Sequence, residues 1–432
     1  EKLRNLYVSA NASDFRVYEK FYTEDLPSLC EELRSTLGEN NFVRLYQKIG
    51  KNIRMSGSPF DPNLAEGKFF TIAERLIEIA TRLVQERRKE KIKTFIAIDA
   101  IRNPLEALLL QDRFSSFFLM AISAPDEDRI RRLRSQNYSE EDIAAIDNVE
   151  YTLHDLEDAE SYSVQDIQAC LQRADLYVSN PDVLAKVNKF QDLANQLIKF
   201  VSLIRQPGII TPSAAERCMQ IAYTAKLNSG CISRQVGAVV TDQNLSLRSV
   251  GWNDVPHGQV PCNLRSRDDL IAGKDTEAYS DFERKNEEYL HHFEQRSIRY
   301  IHISEGGRNN AYCFKSEYNA LKNDKNQVHT RSLHAEENAF LQISKYGISS
   351  VEGGILFTTA SPCELCAKKA YQLGIKKIYY IDPYPGIAIS HILRGGSKNP
   401  ELILFSGAIG RAFHKLYSPI VPYKDELNAL SL

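Results

Sequence analysis

The chain has 432 residues, more than one hydrophobic core ordinarily serves, and 43% are hydrophobic against 25% charged, the proportions of a globular protein that folds in water. Lys and Arg (54) nearly balance Asp and Glu (56), and the net charge of -2 argues against a long nucleic-acid track, which needs an excess of positive charge. No apolar run reaches membrane-spanning length, and eight scattered cysteines with one close pair, Cys363 and Cys366, exclude a disulfide framework and imply a reducing, cytoplasmic setting with thiols available to a metal.

In chain order, residues 65–91 place Phe69, Ile72, Leu76, Ile77, Ala80 and Leu83 at helical spacing opposite a charged face, which predicts a long amphipathic helix. Residues 93–100, KTFIAIDA, are a compact apolar run closed by Asp99 and read as a buried parallel strand. A helix over 103–114, a strand over 117–124, a basic helix over 125–135 and a strand over 174–180 extend the alternation, which implies a parallel sheet covered by helices. A helix over 183–205 links the halves. The Pro/Gly break at 206–213 then sets the boundary, giving domains of 1–205 and 206–432. The second half reads as a helix over 211–229, strands QVGAVVT and LRSVGW joined by a polar turn at 242–244, and a long charged insertion over 261–330. A helix from His334, strand GGILFTT, a helix from Cys363 and strands KKIYYI and ELILFS follow.

The chemistry concentrates where two of these helices begin. HAEENAF opens one with His334, and SPCELC opens another with Cys363 and Cys366. The x-x spacer lets two thiolates reach one ion, and a helix N-terminus favours the thiolate form. One imidazole and two thiolates leave a tetrahedral zinc with an open corner for water, whereas a closed structural site takes four protein ligands. Zinc lowers the pKa of such a water to about 7. Glu336, two positions after His334, can point at that water without ligating the metal and can carry its proton onward. A zinc knuckle or an incidental CxxC would account for the cysteines and leave Glu336 without a use.

The pattern H-x-E followed by P-C-x-x-C resembles that of zinc nucleobase deaminases. SRQVGAVV at 233–240, GWNDVP at 251–256, HAEENAF and SPCELC fall in the order seen in the deoxycytidylate deaminase branch of the cytidine deaminase superfamily, a resemblance covering about the last half of the chain. It implies a three-layer α/β/α domain in which Asn253 hydrogen-bonds the sugar and Val236 and Ala238 line the base pocket. Arg234 and Tyr384, the latter in DPYPG, become candidates for sugar or phosphate contact. Asp254 stands where the family usually has glycine after that asparagine, a departure that bears on the family's nucleotide effector site. Some phage-type relatives carry an extra structural zinc near the insertion. Cys231, Cys262 and Cys313 with one of His291, His292, His302 or His329 are the candidates for it here, against the plainer reading of buried free thiols.

In the first half, FIAIDAIRNPLEALLLQDRF, ISAPDEDRIRRLRSQ and ADLYVSN resemble the strand-end Asp segment, the lid-like basic helix and the last strand of P-loop nucleotide kinases. That resemblance implies a nucleoside triphosphate with Mg2+ near Asp99 and phosphates gripped by Arg131, Arg132 and Arg134. The plainer readings are a strand-end cap and a solvated helix face. No G-x-x-x-x-G-K-[ST] occurs, so a phosphate loop is expected upstream of Glu1. A kinase-like half joined to a deoxycytidylate deaminase half is similar to the bacterial anti-phage deoxycytidine-nucleotide deaminases. That implies zinc-dependent deamination of dCMP or dCTP by a closed homo-oligomer, a tetramer or a hexamer. The competing functions are a polynucleotide deaminase acting on flipped bases of RNA or single-stranded DNA, and a binding module with a decayed site, which the intact His334, Glu336, Cys363 and Cys366 set speaks against.

Overall fold

The computed structural model describes residues 9–151, 159–182, 190–347, 350–382 and 387–431. The chain divides into two compact units, one within Glu1–Ala174 and Asn180–Lys189, the other Asp175–Ser179 with Phe190–Leu432.

The first unit is mainly helical in its described residues, with helices Glu39–Ser56, Thr71–Lys89, Pro104–Arg113 and Asp126–Ser135 and one strand, Met120–Ser123. Helix Pro104–Arg113 begins as the sequence predicts because Asn103 Oδ1 accepts the Leu105 N–H (2.9 Å) and Pro104 occupies a position that needs no donor. Arg54 donates through Nε to the buried Glu106 (2.7 Å) and ties this helix to Glu39–Ser56. The parallel strand expected over 93–100 is corrected. The segment forms no regular element, Phe95 and Ile96 are 62% and 42% exposed, and the Thr94 hydroxyl is buried without a partner. A strand is held by a neighbour's hydrogen bonds, and apolar composition alone does not supply one. Asp99 is exposed. The arginines of the basic helix are paired with acids. Arg131 and Arg132 meet Asp182 (3.0 and 2.9 Å), and Arg134 meets Glu140 (2.7 Å).

In the second unit the strand Leu176–Ser179 (β1) is followed by helices Gln191–Arg205 (α1) and Ala214–Ala225 (α2) and strands Gly237–Thr241 (β2) and Leu247–Trp252 (β3). After the insertion come helix Ala335–Tyr346 (α3), strand Ile355–Ala360 (β4), helix Glu364–Gln372 (α4), and strands Lys377–Asp382 (β5), Glu401–Leu404 (β6) and Gly407–Ala408 (β7). Helix Gly410–Tyr417 (α5) follows. The main sheet has the order β3-β2-β4-β5-β6, antiparallel on both sides of β2 and parallel from β4 onward. β1 pairs antiparallel with β7.

Two glycines let helices lie directly on the two faces of the sheet. A Cβ on Gly237 would meet the Ala222 carbonyl of α2 at 1.9 Å, and one on Gly251 would meet the Ala335 carbonyl of α3 at 2.3 Å. Ala238 faces Gly251 across one strand pair and Thr358 across the other. The row Gly251–Ala238–Thr358 is therefore a floor of small side chains beneath the start of α3. Ala335, Ala339, Ala367 and Ala370 share one core with Ala238, which puts α3 and α4 on the same face.

The division into units differs from a cut at 206, because α1 belongs with the second unit. Glu216, with no exposed surface, shows why. It accepts from Lys199 Nζ of α1 (2.8 Å), the Tyr417 hydroxyl of α5 (2.5 Å), the Ala408 N–H of β7 (3.0 Å) and the Ser213 N–H that caps α2 (2.9 Å). A Pro/Gly break marks a turn, and such long-range contacts decide the domain.

The insertion leaves the sheet after Asn253 and returns before His334, its ends joined by the Leu333 N–H donating to the Asp254 carbonyl (2.8 Å). It encloses its own core of Leu270, Ala278, Tyr279, Tyr289, Phe293 and Tyr312, crossed by the buried ion pairs Arg265–Glu283 and Arg267–Glu317.

Burial pushes the Glu216 carboxyl up, and the Lys199 ammonium, the Tyr417 hydroxyl and the Ser213 N–H more than reverse this, so it sits below the ordinary carboxylate value. A depressed folded-state pKa gives stability that is present above the unfolded value, about 4.3, and is lost as pH falls through the folded one. Glu216→Gln should therefore lower the urea midpoint at pH 7, with the gap from wild type closing below about pH 4. A gap that is constant across that window would contradict this.

Candidate zinc and acid–base site

The site forms where α3 and α4 begin. His334 is the residue that caps α3, and Cys363 caps α4 with Cys366 in its first turn. His334 Nδ1 lies 3.2 Å from Cys363 Sγ and 3.5 Å from Cys366 Sγ. A tetrahedral zinc with bonds of about 2.3 Å to sulfur and 2.0 Å to nitrogen sets such pairs about 3.5 Å apart, so the three donors fit that ion. Among the described residues this is the group of His, Cys, Asp and Glu ligand atoms close enough together to share a metal, all within 4.8 Å of one another.

The electrostatics of the three donors depend on one another. The Cys363 thiol is brought down to about 4 by its hydrogen bond with Cys366 and then by His334. Cys366, sharing that hydrogen bond and more deeply buried, is pushed up, and His334 is raised by its contact with Cys363. Metal ligands must be deprotonated, so a bound dication would displace the protons that these groups carry.

Glu336 follows in the first turn of α3, only 4% exposed, and burial raises its carboxyl above the ordinary value. The Thr358 hydroxyl on β4 donates to Glu336 Oε1 (3.1 Å) and also lies 2.7 Å from the Ala360 carbonyl. One hydroxyl hydrogen serves one of these acceptors at a time, so Thr358 can receive from a protonated Glu336 while giving to Ala360, or give to an ionised one. Thr358 is not legible in the sequence, because a threonine inside a strand announces nothing until its partner on the overlying helix is known.

Of the expected substrate contacts, Asn253 ends β3 with its amide engaged. Its Oδ1 accepts the Val236 N–H (2.6 Å) and its Nδ2 donates to the Arg234 carbonyl (2.7 Å). One amide hydrogen and one oxygen lone pair remain for a ligand. Val236 is half-buried against the core beneath α3. Ala238 has no exposed surface and is part of the floor that seats α3. Arg234 is ion-paired with Asp382, a buried residue at the end of β5 whose carbonyl accepts the Ser361 N–H (2.8 Å), two residues before Cys363. Asp382 was another partner that the sequence did not disclose. Tyr384 lies outside the described residues, and Asp99 belongs to the other unit. Cys231, Cys262 and Cys313 are free thiols and do not form a second cluster at ligand spacing with any histidine among the described residues.

Residues 212–382 match a family model described as the cytidine and deoxycytidylate deaminase zinc-binding region. The deoxycytidylate deaminase of Enterobacteria phage T2 is 31% identical over 176 residues, which cover 39% of this chain and 80% of that protein. The chain belongs to the cytidine and deoxycytidylate deaminase family. The deoxycytidylate deaminase of phage T4 is 29% identical over 174 residues, 39% of this chain and 78% of that protein. A crystal structure of the dCMP deaminase of cyanophage S-TIM5 in complex with dCMP and dUMP is 23% identical and covers 45% of this chain and 99% of that one, with a TM-score of 0.27. His334, Glu336, Cys363 and Cys366 all fall inside the matched region of this family member.

Thr358→Val keeps the side-chain shape and removes the hydrogen bond to Glu336. Turnover of a cytosine nucleotide should fall by about tenfold while bound zinc is unchanged. A rate equal to wild type would show that the hydroxyl does not matter.

Proposed function

We propose that the protein hydrolyses free deoxycytidine nucleotides, dCMP or dCTP, to the deoxyuridine nucleotides and ammonia. The observation that carries this reading is Glu336, a buried carboxyl beside three metal-ligand side chains that leave a tetrahedral corner open. Zinc held by His334, Cys363 and Cys366 would supply a water of pKa near 7 at that corner. As the water oxygen bonds to C4, Glu336 would take one of its protons and deliver it to ring nitrogen N3, and would then carry the remaining proton from the new C4 hydroxyl to the amine as the C4–N bond breaks. Cytosine and water thus become uracil and ammonia with no further reactant. Thr358 keeps the Glu336 carboxyl supplied with a hydrogen-bond partner in both protonation states. Asn253 offers its remaining N–H and lone pair to the sugar while its other two bonds fix the turn at Arg234 and Val236.

The preference for mononucleotides over a polynucleotide rests on the net charge of -2 and on the deoxycytidylate deaminases among the relatives. The same reading takes the first half as a nucleotide-kinase-like module that binds a nucleoside triphosphate with Mg2+, on the sequence pattern of residues 103–136. It places the assembled protein, a tetramer or hexamer, in the cytoplasm, where it would deplete deoxycytidine nucleotides during phage infection. No helix among the described residues is long and apolar enough to cross a membrane.

Ammonia release should be seen with dCMP or dCTP and not with oligonucleotides. Glu336→Ala should lower the rate by a factor on the order of 10²–10⁴ with zinc still bound. Turnover of oligonucleotides without turnover of mononucleotides, or a fully active Glu336→Ala protein, would overturn the reading.

A further inference from the structure

The metal ligands stand on two helices that the chain connects only through β4, so something must hold the two helix starts at a fixed separation. Both helices rest small side chains on the sheet, Ala335 and Ala339 from α3 and Ala367 and Ala370 from α4. Alanine contacts set the height of a helix above a sheet and resist sliding along it weakly, because they have little relief to interlock.

One polar contact supplies the lateral constraint. Glu337 and Lys369 form an ion pair across the two helices, with Lys369 Nζ donating to Glu337 Oε1. Apart from the contacts of the ligands themselves, it is the polar side-chain link recorded between α3 and α4 among the described residues. Its placement follows from the numbering. Glu337 is three residues after His334, and Lys369 is three residues after Cys366. Residues three apart share a helix face, so the pair lies one turn behind the ligands and spans the same gap. The second Glu337 oxygen accepts the His334 backbone N–H (3.4 Å), so one carboxylate holds both the backbone of the imidazole ligand and the helix of the thiolate ligands.

We propose that Glu337 and Lys369 are a positioning pair that sets the separation of His334 from Cys363 and Cys366 and thereby the retention of the metal. Neither residue is one of the three candidate ligands or the proposed base. Its role rests on the reading of the three ligands as a zinc site, and its test reads the metal instead of turnover.

The experiment follows zinc released from the purified full-length protein into excess EDTA with a metallochromic indicator. Release should be about tenfold faster in Glu337→Ala and in Lys369→Met. The double variant should be no faster than either single one, because each breaks the same link. Lys369→Arg, which keeps the pair, should release zinc at close to the wild-type rate. The pair is partly exposed and adds little to folding by itself, so the metal-free melting temperature of Lys369→Met should match that of metal-free wild type. Unchanged release in both single variants, additive effects in the double, or faster release that tracks a lowered metal-free melting temperature would each overturn the positioning role. Wild-type protein that holds no zinc would overturn the metal reading along with it, whereas zinc-bearing wild type with unaltered variants would overturn the pair alone.

Discussion

The start of α3 rests on a row of side chains too small to keep it away from the sheet, and α4 shares the same core. Gly251 admits the backbone of α3, Ala238 continues the floor, and Thr358 ends it with a hydroxyl in reach of Glu336. Each helix brings the partial positive charge of its N-terminus to the same place, which suits two sulfurs that must give up their protons. The burial of Glu336 and the seat of α3 are consequences of that one packing arrangement. A larger side chain at Gly251 or Ala238 would disturb both together.

The surroundings are braced by contacts that continue from residue to residue. Asn253 holds the Arg234 carbonyl, Arg234 pairs with Asp382, and the Asp382 carbonyl holds the Ser361 N–H in the turn leading to Cys363. The edge of the proposed sugar site and the thiol loop are thus parts of one network. The insertion departs and returns through Asp254 and Leu333, immediately beside Asn253 and His334, and its buried ion pairs give it a core separate from that of the sheet. Paired buried charges of this kind add little net stability and penalise any arrangement that would separate them.

The candidate zinc site was legible in the sequence because its logic is local. His334 and Glu336 share one helical turn, as do Cys363 and Cys366, and the helix–strand–helix pattern around them is strongly periodic. What supports those residues was not legible, because Thr358, Asp382 and Lys369 act across strands and helices at separations that periodicity does not report. Asn253 was found by resemblance, but its use as a brace for residues 234–236 was visible only in the fold. The first half shows the converse. Residues 93–100 have the composition of a buried strand, and the described fold gives them no neighbouring strand, so composition alone misled. The boundary at 206 followed a true turn, while Lys199 and Glu216 bind α1 to the elements beyond it.

The central claim is a metal held by one ring nitrogen and two sulfurs with its remaining corner left to solvent. X-ray absorption at the zinc edge of the purified protein measures that coordination directly. The account predicts two sulfur neighbours at about 2.3 Å and two nitrogen or oxygen neighbours at about 2.0 Å, one of the latter exchangeable for a small anion. Three or four sulfur neighbours, or a closed shell that no added ligand perturbs, would contradict it.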